Sequence, residues 1–141
     1  MPAVDPCDAI QLGLYARLTG DATLYPTLIN GVFDSVREDV ELDYLVIGEV
    51  TATPDGVHGV EGRQVVAVIH TWTRAESFAS ANAIGSRVVA LLWHRHAELD
   101  ALVAGHRVWR VDHEFSQNMR DPEPHVRHRI DRFRIFTSQE V

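Results

Sequence analysis

At 141 residues and 45% hydrophobic content, the chain is long enough to close one core and too apolar to stay disordered. A net charge of −7 argues against a general nucleic-acid or membrane-surface binder. Cys7 is the lone cysteine, so an internal disulfide is excluded and a reducing compartment fits.

The charge is unevenly spread. Residues 1–62 hold 2 Arg and 11 acidic residues; residues 63–141 hold 11 Arg and 9 acidic residues. Opposite electrostatic ends suit a chain that stacks on copies of itself, and solvated faces that differ by chance explain the pattern equally well. All 13 basic residues are Arg, which a GC-rich coding sequence also explains. The start MPAVDPCDAI has neither a basic opening nor an apolar run, so no secretory signal is expected, and no apolar run reaches membrane-spanning length.

In chain order, Asp5-Pro6 reads as a helix start, with Asp at the cap and Pro in the first turn. Cys7, Ile10, Leu14 and Leu18 then recur at helical spacing up to Gly20. Asp21 caps a short turn carrying Leu24 and Leu28, limited by Pro26 and Asn30-Gly31. Residues 31–36 read as a short strand and 37–43 as an acidic connection. The run 44–52, YLVIGEVTA, predicts a strand with Tyr44, Val46 and Val50 on one face and Leu45 and Ile47 on the other; Gly48 marks a bulge or a close backbone approach. A Gly-rich loop, 53–62, carries Pro54-Asp55-Gly56 as its turn chemistry and is longer than a tight hairpin needs. Residues 63–74 form the next strand, with His70 on the Val68 and Trp72 face.

The spacing predicts a helix over 76–97, with Phe78, Ala81, Ile84, Gly85, Val88, Leu91 and Leu92 as its apolar stripe and small residues that bring it close to a sheet. Residues 98–104 are a connection. The chain is organised around 105–137, two β-prone runs flanking Asp121-Pro122-Glu123-Pro124, which predicts a long antiparallel hairpin. Matching apolar to apolar sets Val111 opposite Phe133, Trp109 opposite Ile135 and Asp112 opposite Arg132. Residues 138–141 read as a loose tail. Helix, strands, long helix and hairpin add up to an α+β fold across one domain, 1–141. The expected sheet is largely antiparallel, four- to five-stranded, with two main helices on one face.

Motifs for chemistry are scarce. His94 and His96 are two apart on the predicted helix, and His125 and His128 flank the hairpin turn, so neither pair converges. Ser77, Ser80, Ser86 and Ser116 lie in no nucleophile elbow. Cys7 sits at a helix start, which can lower a thiol pKa, yet a half-buried structural Cys fits better. Gly56, Gly59 and Gly62 lie between two strands, without the helix N-terminus that a phosphate cradle needs. Arg127, Arg129, Arg132 and Arg134, with His125 and His128, form either a basic stripe for an acidic or phosphate partner or one side of ion pairs to Asp112, Glu114 and Asp131. Arg132 fits pairing best.

AIQLGLYARLTGD, YLVIGE, VIHTWTR, ANAIGSRVVALL and the ending HEFSQNMRDPEPHVRHRIDRFRI, in this order and spacing, resemble the tail-completion proteins of long-tailed bacteriophages and gene transfer agents, also called tail terminators or head–tail joining proteins. The resemblance runs over most of the chain, departing in the acidic residues before Tyr44. It implies a structural virion protein in the tail or neck, assembled in the host cytoplasm. Copies would form a hexameric ring that caps the tail tube and joins it to the head connector or stopper. It implies no catalysis, cofactor or metal, and neither a membrane nor a specific nucleic-acid sequence as partner. The contact residues placed on this reading are Pro54, Asp55, Gly56 and His58 in the loop and Arg127, Arg129 and Arg134 on the last strand. Competing readings are a nucleic-acid-binding module using the Arg strand and a small hydrolase or ligand-binding domain.

Overall fold

Helix α1 (Cys7–Thr19) begins where the sequence places it. The Asp5 carboxylate accepts the Cys7 N–H at 2.9 Å, and the first ladder bond runs from the Ile10 N–H to the Pro6 carbonyl. The computed structural model describes residues 4–36, 39–56 and 61–140. After α1 come strands β1 (Val32–Phe33), β2 (Tyr44–Pro54) and β3 (Gly62–Arg74), helices α2 (Ala79–Leu92) and α3 (His96–Asp100), and strands β4 (His106–Arg120) and β5 (Val126–Gln139). The five strands form one sheet in the order β1-β2-β3-β5-β4. β1 runs parallel to β2, and every other neighbour pair is antiparallel. The fold is α+β, as the order of elements predicts.

Strict alternation decides which face is covered. Along β3, Val65, Ala67, Ile69, Thr71 and Thr73 are buried while Val66, Val68, His70 and Trp72 between them are half-buried. Val111 on β4 and Phe133 and Ile135 on β5 continue the buried side. There they meet Ile10, Leu14 and Leu18 of α1 and Ile84, Val88, Leu91 and Leu92 of α2. Each such side chain contributes about 1.5–3 kcal/mol by leaving water. Among the described residues, no helix covers the opposite face of the sheet.

Three strand irregularities revise the expected registers. β2 holds one extra residue between Ile47 and Val50, so the bulge expected at Gly48 is present. It turns Val50 and Ala52 over to the core side, away from the Tyr44 and Val46 face expected for Val50. β4 is bulged twice, between Val108 and Arg110 and between His113 and Phe115. Val111 therefore lies opposite Ile135, and Asp112 opposite Arg134, a shift of two residues from the expected pairing. Between the two bulges a shift of two keeps Val111 and Asp112 on their predicted faces. Trp109 falls in the first bulge, 58% exposed, with its indole N–H donating to Ser138 Oγ at 2.7 Å.

The predicted helix 76–97 is two helices. Trp93 is extended and His94 takes φ +61°, which reverses the chain; the His94 N–H faces the Val111 carbonyl. α3 then drops Leu99 into the core, inside what reads as a connection. The expected strand 31–36 is two residues long. The loop after β2 is narrowed by Thr53 opposite Gln64 and Pro54 opposite Arg63. The first two residues of the expected loose tail end β5: Ser138 is buried, and beyond Gln139 the Glu140 N–H donates to the Gly105 carbonyl.

Candidate assembly surface

The helix-free face is built from alternate residues of four strands. At its middle, His70 Nδ1 lies 2.7 Å from His128 Nε2, and the His128 ring stacks on Trp72 with centroids 3.8 Å apart. Trp72 and His128 are directly opposite across β3 and β5, which sets the stack. Two shallow open hollows adjoin, sharing Glu49 and Val68. One, of about 430 Å³, is walled by Val46, Gly48, His70 and Trp72, and the other, of about 330 Å³, by Thr51, Val66, Arg132 and Arg134. Shallow, open, mixed polar and apolar relief suits a protein partner better than an enclosed small molecule.

Gly48 is what lets the face close over His70. A Cβ there would stand 2.6 Å from His70 Nε2 and 3.2 Å from the Val68 carbonyl oxygen. Gly48→Ala is therefore expected to displace the imidazole, part it from His128 and cost about 1–3 kcal/mol. Denaturant unfolding measures this, and an unchanged midpoint would contradict it.

Burial holds the pKa of His70 below the ordinary value against the pull of Glu49. Burial, then the neighbouring His70, does the same to His128, with Asp121 opposing. Burial also lowers His106, on the core side near Arg63 and Asp5. Each native imidazole resists a proton that the unfolded chain accepts near pH 6.5. Stability is then full above pH 6.5 and falls as the pH drops through it toward the lowered native values. The unfolding midpoint is expected to be lower at pH 5.5 than at pH 7.5; an equal or higher midpoint at pH 5.5 would refute this. Cys7, half-buried, has its thiol pushed up to about 11 by burial first and the Asp5 carboxylate second, the reverse of a helix-start activation.

The Arg residues of β5 divide between the two faces. On the helix-free face Arg132 and Arg134 both donate to Glu114, at 2.9 and 3.1 Å, and Arg134 also reaches Gln64. The pairing expected for Arg132 is present, and one carboxylate serves both guanidinium groups. Arg127, near the hairpin turn, donates to the carbonyls of Pro124 and Glu76 and lies over the Phe78 ring. Pro54, Asp55 and Gly56 are exposed at the far end of the sheet, with Asp55 accepting the Gln64 amide. His58 lies outside the described residues. The described contact residues thus occupy two ends and two faces of the sheet and do not converge.

Arg129 turns inward, toward a cluster that sequence spacing alone does not assemble. Its guanidinium donates twice to the fully buried Asp131, at 3.0 Å each, and once to Asn82 of α2. Ser116 donates to the same Asp131 carboxylate, and His113 Nε2 lies 2.9 Å from the Ser116 oxygen. The β4 bulge places His113 and Ser116, three apart, on one face. The parts of a Ser-His-Asp triad are present with the wrong wiring. In a triad the Asp holds the His; here it holds the Ser and an Arg, so Ser116 gains no base oriented by a carboxylate. Gly85 of α2 makes room for Arg129, since a Cβ there would fall within the guanidinium. A readable signal exists: Asp131 and Arg129 share the inward parity of Phe133 and Ile135.

The sequence profile of the family described as "Tail completion protein gp17" matches residues 13–138. Among solved structures, a chain of the "Virion of native gene transfer agent (GTA) particle" superposes with a TM-score of 0.84 at 21% identity, covering 96% of this chain and 99% of that chain. No curated protein matches. The match over nearly the whole chain shows that this polypeptide belongs to the tail completion protein gp17 family, a structural protein of a virion tail and not an enzyme.

Proposed function

We propose that copies of this chain close into a ring, hexameric in the reading the family resemblance supports, which caps the tail tube and joins it to the head connector or stopper. The observation that carries this is the helix-free sheet face, together with the outer edge of β4, which has no strand partner among the described residues from Glu114 to Arg120. Such a surface is a liability for a lone soluble domain and an asset for one that packs on neighbours. A heterologous contact repeated around a circle needs two different, complementary patches. The acidic N-terminal part and the Arg-bearing C-terminal part supply them. Pro54, Asp55 and Gly56 project from one end of the sheet toward the tube or the next ring, and His58, two residues on in sequence, is the further contact proposed with them. Arg127 and Arg134 stand at the protomer contacts, and Arg129 supports them from within β5.

Tail-tube protein polymerising in vitro tests the capping role. Added protein should arrest growth and decorate one end of each tube in electron micrographs. Tubes that lengthen unchanged and bare-ended would contradict the proposal.

A further inference from the structure

We infer that the bare half of β4 pairs, antiparallel, beside β1 of a second copy, so that the sheets of neighbouring protomers join edge to edge. This rests on the ring reading and specifies its contact.

Strand register carries the argument. Val32 of β1 is level with Leu45, which is level with Thr71, then Arg129, then Asn118 of β4. Phe33 traces in the same way through Val46, His70 and Ile130 to Gln117. The two-residue edge strand on one side of the sheet therefore stands at the height of the middle of the bare segment on the other. Direction agrees as well. β1 and β2 run one way, β3 the other, β5 with β2, and β4 against it. Rotating a copy about an axis along the strands keeps each direction, so β4 meets a neighbouring β1 antiparallel.

The two edges also differ in what they expose. The first half of β4 is already capped: Asp100 accepts the Val108 N–H at 2.8 Å, and the His94 N–H faces the Val111 carbonyl. Residues 114–120 have no such cover among the described residues, and every one is exposed. They include no Pro and no Lys, and past the His113–Phe115 bulge Ser116, Gln117 and Asn118 leave the middle uncharged, so two of the usual guards against edge pairing are missing there. Charge is complementary at longer range. Residues 39–56 carry Asp39, Glu41, Asp43, Glu49 and Asp55 and no basic residue. Of the β4 cations, Arg107 pairs with Asp100 and Arg110 with Asp112, and Glu114 is shared by two Arg of β5, so the charge the bare segment offers is Arg120 at its end. An acidic segment beside β1 meeting that cation favours a second copy as the occupant.

Two measurements on the assembled full chain test this. In a Cys7→Ser background, Phe33→Cys with Gln117→Cys, level across the joint and so on one face of the joined sheet, should give a ladder of disulfide-linked multimers on mild oxidation, and neither single variant should pass a dimer. In the unaltered protein, amide exchange at 114–120 and 32–36 should slow at least tenfold on assembly. A ring with no ladder and no added protection at these segments would overturn the inference and leave the ring reading standing. A strict monomer at every concentration, with tail tube present, would overturn the ring reading itself.

Discussion

Asp131→Ala is expected to destabilise the protein by about 3–5 kcal/mol, the cost of leaving a buried partner charge uncompensated. Asp131 is fully buried and takes three hydrogen bonds, two from Arg129 and one from Ser116. The Arg129 side chain is only 12% exposed and cannot swing out to water while α2 lies over it. Arg129→Met combined with Asp131→Leu should recover most of the loss, because an apolar pair asks nothing of the lost charges. Urea unfolding of the single and double variants measures the coupling. A single variant within 1 kcal/mol of the parent would mean that the cluster is not holding β5 to α2 and β4.

Gly85→Val should cost about 3 kcal/mol or more, against the usual sign. A mid-helix Gly normally gains stability on acquiring a side chain, by about 0.5–1 kcal/mol for Ala. At Gly85 the added carbon would occupy the space of the Arg129 guanidinium, so α2 must lift or the ion pair must break. Overpacking alone is worth about 1–3 kcal/mol, and separating a buried charge from its partner adds to that. Ala90, exposed on the same helix, is the control: Ala90→Val should cost no more than the small propensity difference. Thermal unfolding of both variants decides it, and a Gly85→Val protein as stable as the parent would show that α2 does not rest on Arg129.

The periodicities carried most of the architecture. Alternation in 63–74 set His70 on the face of Val68 and Trp72, as observed, and the i, i+3, i+4 spacing in α1 and α2 named the stripes that meet the sheet. Where the reading slipped, the cause was local geometry with no Gly or Pro to announce it. Gly48 flagged its bulge; Trp109 and Glu114 are ordinary strand residues, and the β4 bulges beside them are fixed by the two faces that β4 must satisfy. The break at Trp93-His94 is equally silent, because helical spacing runs on through it into Leu99. The loop 53–62 looked longer than it is because the ladder continues to Pro54 and Arg63. The inward cluster needed two facts at once, the parity of Asp131 and the position of Asn82 and Gly85 over it. Only the first is written locally. Ion pairing on β5 was legible for Arg132, since Glu114 stands on the facing strand.

The proposed ring requires that this polypeptide fit against copies of itself and its neighbours in a tail. Native mass measurement of the purified protein, at low and at high salt, reaches that requirement most directly. A single closed species of several protomers, six in the expected case, that loosens as salt rises is the predicted result. A mass of one protomer at all salt and protein concentrations, unchanged when tail tube is added, would contradict it.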